Sequence, residues 1–216
     1  MESSTQPKRN SHLVEYLIWG ALAATIVGVA TAFFVTRLSA RLSRPLIMAG
    51  AVPDFALTNQ LGQPFGLTNL LGHVWVADVI FTRCPMSCER MSQRMRVLQD
   101  ELGSRSPVRF LSVTADPVND TPDILRKYAE RHGADANRWT FVTGVKSNVY
   151  KLAVDGLKFV VRDKTEDKTT PDDLFIHSTK FVLVDKHGQI RGYFEGTDEE
   201  ERKQLVMAVK QLQRER

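Results

Sequence analysis

Strands alternating with helices, an ordinary balance of apolar and charged residues, and one long uncharged apolar run near the start predict the fold class. It is an α/β domain, a central mixed sheet flanked by helices, preceded by one N-terminal transmembrane helix. The chain has 216 residues, 43% hydrophobic and 25% charged, which suits one domain plus an appendage. Composition divides it into a tail over 1–15, an anchor over 16–36, a linker over 37–51 and a folded domain over 52–216.

The anchor is read from charge and length. Tyr16 to Thr36 contains no charged residue, and a run of that length crosses a hydrocarbon core of roughly 30 Å at about 1.5 Å per residue. Ala30-Thr31-Ala32 resembles a signal-peptidase site. The apolar run continues through Phe33, Phe34 and Val35, which favours a retained anchor over a cleaved leader. Lys8 and Arg9 precede the span and Arg37, Arg41 and Arg44 follow it, so charge alone does not place the N-terminus in the cytoplasm. Residues 1–44 carry a net +3 of the chain's +4. The rest is nearly neutral, and the pI of about 9.1 is a membrane-flanking effect that gives no reason to expect nucleic acid as a partner.

The folded domain opens with a short β stretch over Val52–Thr58, a turn at Gln60–Gln63 and a second arm over Pro64–Leu67. Val74–Phe81, rich in β-branched and aromatic residues, is the central strand, and Pro85 to Leu102 has helical periodicity. Val108–Thr114 is the next strand, ended by Asp116-Pro117. A helix from Pro122 to Arg131 follows, with Thr121 as its N-cap. Phe141–Gly144 is a short strand and Ser147 caps a brief helix through Leu152. Phe159–Arg162 is a candidate strand, and Asp163–Asp173, dense in charge, an exposed hairpin or loop. Ser178–Asp185 and Gln189–Phe194 form a hairpin around Lys186-His187-Gly188. A last helix starts at a capping box of Thr197 and Glu200 and keeps Leu205, Val206, Val209 and Leu212 on one face.

The only two cysteines, Cys84 and Cys88, stand four residues apart where the central strand turns into its helix. With Pro85 at the first helical position, Cys84 sits near the N-cap and Cys88 one turn inside, so the sulfurs share a face. The helix dipole and Arg83 favour thiolate at Cys84. A disulfide closing so short a loop restrains the unfolded chain little, so stability alone is a poor reason for the pair. The pair is reactive or metal-binding. A thiol pair at the end of the central strand, with a late hairpin and closing helix, specifies the fold further as thioredoxin-like. Just before the late strand, where a thioredoxin carries its cis-proline, the chain has Ile176-His177-Ser178-Thr179. That position faces the cysteine turn in such a sheet. Two thiolates and one imidazole suit Cu(I), with zinc the alternative.

Several blocks resemble the Sco/SenC family, the membrane-anchored copper chaperones of cytochrome c oxidase assembly, from about Val52 to the C-terminus. They are Pro53-Asp54-Phe55, the Phe-Thr-x-Cys-Pro-x-x-x-Cys pattern holding Cys84 and Cys88, the block Asp116-Pro117 to Asp120-Thr121-Pro122, Trp139 to Gly144, and His177 with Ser178-Thr179. The resemblance implies Cys84, Cys88 and His177 as ligands of a copper ion and places Asp116 near the site. It implies delivery to the subunit carrying the CuA site of cytochrome c oxidase, other copper-transfer proteins as further partners, and a domain outside the cytoplasm. That side is the periplasmic face of the inner membrane or the intermembrane space. Glu89 departs from the proline usual after the second cysteine, and adds a charge beside the site. The competing function is a thiol-disulfide reductase that keeps acceptor cysteines reduced through Cys84 and Cys88, so the enzyme class stays open. His12, His73, His132 and His187 read as surface residues, and Met86 and Met91 as packing rather than ligands.

Overall fold

The computed structural model describes residues 11–42, 46–84, 86–159 and 178–215. The chain falls into two units, Met1–Arg44 and Pro45–Arg216. In the first, α1 (Ser11–Leu42) is a single helix whose stretch Glu15–Val35 has a mean hydropathy of 2.0 and is exposed throughout. Thr25 and Thr31 donate their hydroxyls to the Ala21 and Val27 carbonyls one turn back, which hides their polar atoms. Length, composition and this internal pairing make α1 a candidate membrane span.

The second unit is built on a seven-stranded mixed sheet. Its strands are β1 (Ala56–Asn59), β2 (Pro64–Gly66), β3 (Trp75–Ile80), β4 (Arg109–Thr114), β5 (Trp139–Thr143), β6 (Lys180–Val184) and β7 (Ile190–Glu195), in the spatial order β2-β1-β5-β4-β3-β6-β7. β3, β4 and β5 run parallel, with Val79 beside Val113 and Val113 beside Val142. β6 joins β3 antiparallel, and β1 joins β5 antiparallel. The helices are α2 (Ser87–Leu102), α3 (Pro122–Arg131), α4 (Lys146–Tyr150) and α5 (Glu199–Arg214), and a π-helical turn, Lys151–Gly156, continues α4. This is a thioredoxin-like fold.

Both faces of the sheet are covered, so β3 is buried along its whole length and its sequence is apolar apart from one residue. Trp75, Ala77 and Val79 pack with Val113, Val149 and Leu152 on one face. Val76 and Ile80 pack with Met91, Met95, Tyr128, Phe141 and Leu205 on the other. The two-residue period of a strand places Asp78 on this second face, the one that also buries Cys84 and Cys88.

Three helix starts differ from the sequence expectation. α2 begins at Ser87, with Met86 as N-cap, instead of at Pro85, a residue outside those described. α4 begins after Val145, because Ser147 lies inside it and makes no capping bond. α5 is capped by Asp198, not Thr197. The Asp198 carboxylate accepts the N–H groups of Glu200 and Glu201 at 2.8 and 2.9 Å, and a charged acceptor outcompetes the neighbouring hydroxyl. The β6–β7 turn is as expected, with Gly188 at φ 77° and the Asp185 carboxylate accepting the N–H groups of His187 and Gln189. The candidate strand beyond Phe159 and the charged loop Asp163–Asp173 lie outside the described residues.

Candidate metal centre

β3 ends at Ile80, and the chain turns over Phe81–Cys84, where the Cys84 N–H donates to the Phe81 carbonyl at 3.2 Å. The Cys84 sulfur does what an N-cap side chain does elsewhere. It accepts the Cys88 N–H at 3.3 Å, lies 3.2 Å from the Ser87 hydroxyl and takes a further hydrogen bond from the Met86 backbone. Burial works to raise the Cys84 pKa, but these donors and the Cys88 thiol outweigh it and hold the group below its ordinary value.

Cys88 behaves in the opposite way. It is 2% exposed, and burial pushes its thiol well up. The Phe81 backbone offsets part of this, while the Cys84 sulfur and the Asp78 charge add to it. The two sulfurs are within hydrogen-bonding reach of one another as thiols, with Cys88 the donor when Cys84 ionises. One proton therefore leaves easily and the other is held. Such a pair can grip a soft ion through two thiolates or close reversibly into a disulfide.

Arg83 does not serve the cysteine in the way its position suggests. Its Nη2 donates to Asp116 Oδ2 at 2.8 Å, and Asn119 Nδ2 donates to the same carboxylate at 2.9 Å. The low pKa of Cys84 comes from local donors, and Arg83 instead fastens the cysteine turn to the β4–α3 loop. A second carboxylate, Asp120, fastens it from below. Asp120 is fully buried and accepts the Thr82 N–H at 3.2 Å and the Thr82 hydroxyl at 2.5 Å, and also the Thr114 hydroxyl. Burial raises the Asp120 pKa against the lowering effect of these donors. The family resemblance placed Asp116 near the site, and its carboxylate is held against Arg83, the residue before Cys84. Asp120 was legible only as part of the same block, since its partners are set by tertiary contact.

Asp78 is the other residue that pattern reading passed over, although a lone acid inside an apolar strand is its signal. Trp139 Nε1 donates to the Ser112 hydroxyl at 2.9 Å, and that hydroxyl donates to Asp78 Oδ1 at 2.7 Å. Asp78 Oδ2 makes no hydrogen bond among the described residues. Burial raises the Asp78 pKa to about 7, with the Ser112 bond working against it.

The SCO1/SenC family pattern matches residues 48–214, the whole of the sheet domain. The chain belongs to the SCO1/SenC family. It is similar to the SCO1 protein homolog of Bacillus subtilis, 32% identical over 161 residues that cover 74% of this chain and 81% of that one. It is also similar to a protein of Stutzerimonas stutzeri named for copper binding, 32% identical over 146 residues, 66% of this chain and 68% of that one. Among solved structures it resembles that of BsSco, described as a member of the Sco family of cytochrome c oxidase assembly proteins with a disulfide switch. Identity there is 29%, the TM-score 0.69, and the match covers 80% of this chain and all of that one.

In this Sco domain the unusual Glu89 reaches toward the end of α3. Its Oε2 lies 3.2 Å from Arg131 Nη2 and 3.4 Å from His132 Nε2, both at the end of α3. The charge that Glu89 adds beside the site is thus paired with the end of α3. His132, read from sequence as a surface residue, is buried against the Tyr128 ring at 4.3 Å, and that burial lowers its pKa. The Tyr128 hydroxyl bonds the Ser92 hydroxyl at 2.8 Å and the Cys88 carbonyl at 3.4 Å, so α3 braces α2 directly behind the second cysteine. Met91 is buried, as expected of packing, whereas Met86 is exposed. His177 lies outside the described residues, among which no three His, Cys, Asp or Glu side chains converge on one point.

Proposed function

We propose that this chain is a membrane-anchored copper chaperone that holds copper through Cys84, Cys88 and His177 and delivers it to the CuA site of cytochrome c oxidase. The observation that carries the reading is the juxtaposed pair of sulfurs, one held below and one above the ordinary thiol pKa, at the end of the central strand of a Sco domain. Copper fits this donor set. Cu(I) is soft and prefers thiolate, and a buried thiolate pair excludes the water and hard oxygen donors that favour other ions. Cys84 would bind first, being the easier to ionise, and Cys88 would give up its proton as the metal replaces it. His177 adds a neutral imidazole as third donor. Family membership, and the relative named for copper binding, support the cargo.

Residues 16–36 act as a single anchor that keeps residues 52–216 on the outer face of the membrane, where oxidase copper sites are loaded and where a dithiol can be oxidised. The same asymmetric pair favours a second reading, reduction of the acceptor's own cysteines before metal transfer. A low-pKa thiol that attacks and a buried partner that resolves are the parts of a disulfide reductase. Complementation separates the two. A cell lacking this protein, supplied with the His177→Ala chain, should fail to mature the oxidase while the purified chain still reduces a model disulfide. Full oxidase maturation by that variant would place reduction ahead of copper delivery.

A further inference from the structure

If copper is the cargo, it must reach two sulfurs that water barely touches, since Cys84 is 8% and Cys88 2% exposed. Between them stands Met86, 66% exposed. Its backbone hydrogen-bonds the Cys84 sulfur, which fixes its Cα within a side-chain length of the metal-binding pair. Met86 is also the N-cap of α2, a place where Ser, Thr, Asp or Asn would close the helix end, yet its side chain makes no capping bond. The Cys84 sulfur has taken over the capping, which leaves the methionine side chain without a structural duty and directed to solvent. The other two methionines of α2, Met91 and Met95, are buried at 1% and 0%, as packing residues are. A long thioether held out in water beside two buried thiols is poorly explained by packing and well explained by soft-metal chemistry.

We propose that Met86 is the receiving donor for Cu(I), the first atom of this chain to bind the metal on loading and the last to release it on delivery. This rests on the copper reading above. On loading, the Met86 Sδ forms a bond to Cu(I) as one bond to the donor's ligand breaks, with no change in oxidation state and no proton moved. The Cys84 and Cys88 S–H bonds then break, their protons pass to water, two Cu–S bonds form as the remaining bonds to the donor's ligands break, and the thioether lets go. Delivery reverses these steps toward the acceptor's ligands. A thioether carries no proton at any ordinary pH, so the first step proceeds even where the thiols are fully protonated. The direction of flow is set by the thiolates, and Met86 sets only the rate.

The test is the rate of uptake by the full-length reduced chain in detergent, without oxygen, from the coloured Cu(I)–bicinchoninate complex. The comparison is with Met86→Leu, which keeps the size and apolar character and removes only the sulfur. Uptake by the variant should slow by about tenfold, while its equilibrium affinity stays within about twofold of the parent. Equal rates would overturn the role of Met86 and leave the copper reading untouched. A large loss of equilibrium affinity would also overturn it, by making Met86 a resident ligand. Failure of the parent chain to take copper at all would instead refute the copper reading.

Discussion

Replacing Asp78 by Asn should remove a defined part of the pH dependence of stability. Asp78 is completely buried, and its pKa is raised from 3.8 to about 7. A folded pKa above the unfolded one means that the native protein holds the proton more tightly. Between the two values the unfolded chain binds fewer protons, so this group's contribution to stability is fully present below about pH 4 and is lost as pH rises through about 7. With that rise the wild-type chain loses about 2–3 kcal/mol from this residue between pH 5 and pH 8. Asn has no such titration. It can still accept the Ser112 hydroxyl, but its NH2 falls where Oδ2 has no hydrogen-bond partner among the described residues, a pH-independent cost of about 1–3 kcal/mol. The readout is therefore the slope, not the absolute stability. Urea unfolding in detergent, followed by fluorescence of the buried Trp75 and Trp139, gives it directly. Equal slopes for the two proteins between pH 5 and 8 would refute the assignment of a buried, late-ionising carboxyl beneath the cysteines.

The thiols should differ in the same experiment series. Iodoacetamide should modify Cys84 in the Cys88→Ser chain at lower pH than it modifies Cys88 in the Cys84→Ser chain, and Asp78→Asn should bring the second profile down in pH because the like charge is gone; the reverse order would contradict the local-donor account. Asp120→Ala should cost about 1–3 kcal/mol in unfolding free energy by stranding the Thr82 N–H, and should speed alkylation at Cys84 by loosening the turn that carries it; an unchanged alkylation rate would show that the clamp does not hold the cysteine. Cell fractionation followed by N-terminal sequencing should find the mature chain in the membrane with residues 16–36 intact, and a soluble product beginning near Phe33 would show cleavage instead.

The strand order of hydrophobic runs made the fold readable. Val74–Phe81 and Val108–Thr114 gave β3 and β4 almost to the residue, because strands buried on both faces have little room for polar residues, and the hairpin around Gly188 gave β6 and β7 through its turn. Helix starts were read less well, since a cap depends on which of several nearby groups reaches the free N–H. At α5 the Asp198 carboxylate displaced Thr197, and at α2 a sulfur two residues upstream of the N-cap displaced any oxygen. The cysteine pair was plain in the sequence, and so were its asymmetry and part of the cause, because the helix start supplies the Cys88 N–H that the Cys84 sulfur accepts. Arg83 looked like a second source of the low pKa, and only the tertiary placement of Asp116 shows where that guanidinium goes. Asp78 and Asp120 act through residues 34 and 38 positions away, separations at which no local pattern operates.

Copper binding by the dithiol is the claim on which the rest depends. Metal analysis of the full-length chain after anaerobic exposure to Cu(I) and removal of excess tests it, with reduced wild type, its disulfide form, Cys84→Ser, Cys88→Ser and His177→Ala compared side by side. The reduced wild type should retain one Cu(I) per chain, the disulfide form and both cysteine variants essentially none, and His177→Ala should lose its copper to a competing chelator sooner than wild type. Retention by the disulfide form or by either cysteine variant equal to that of the reduced wild type would contradict the account.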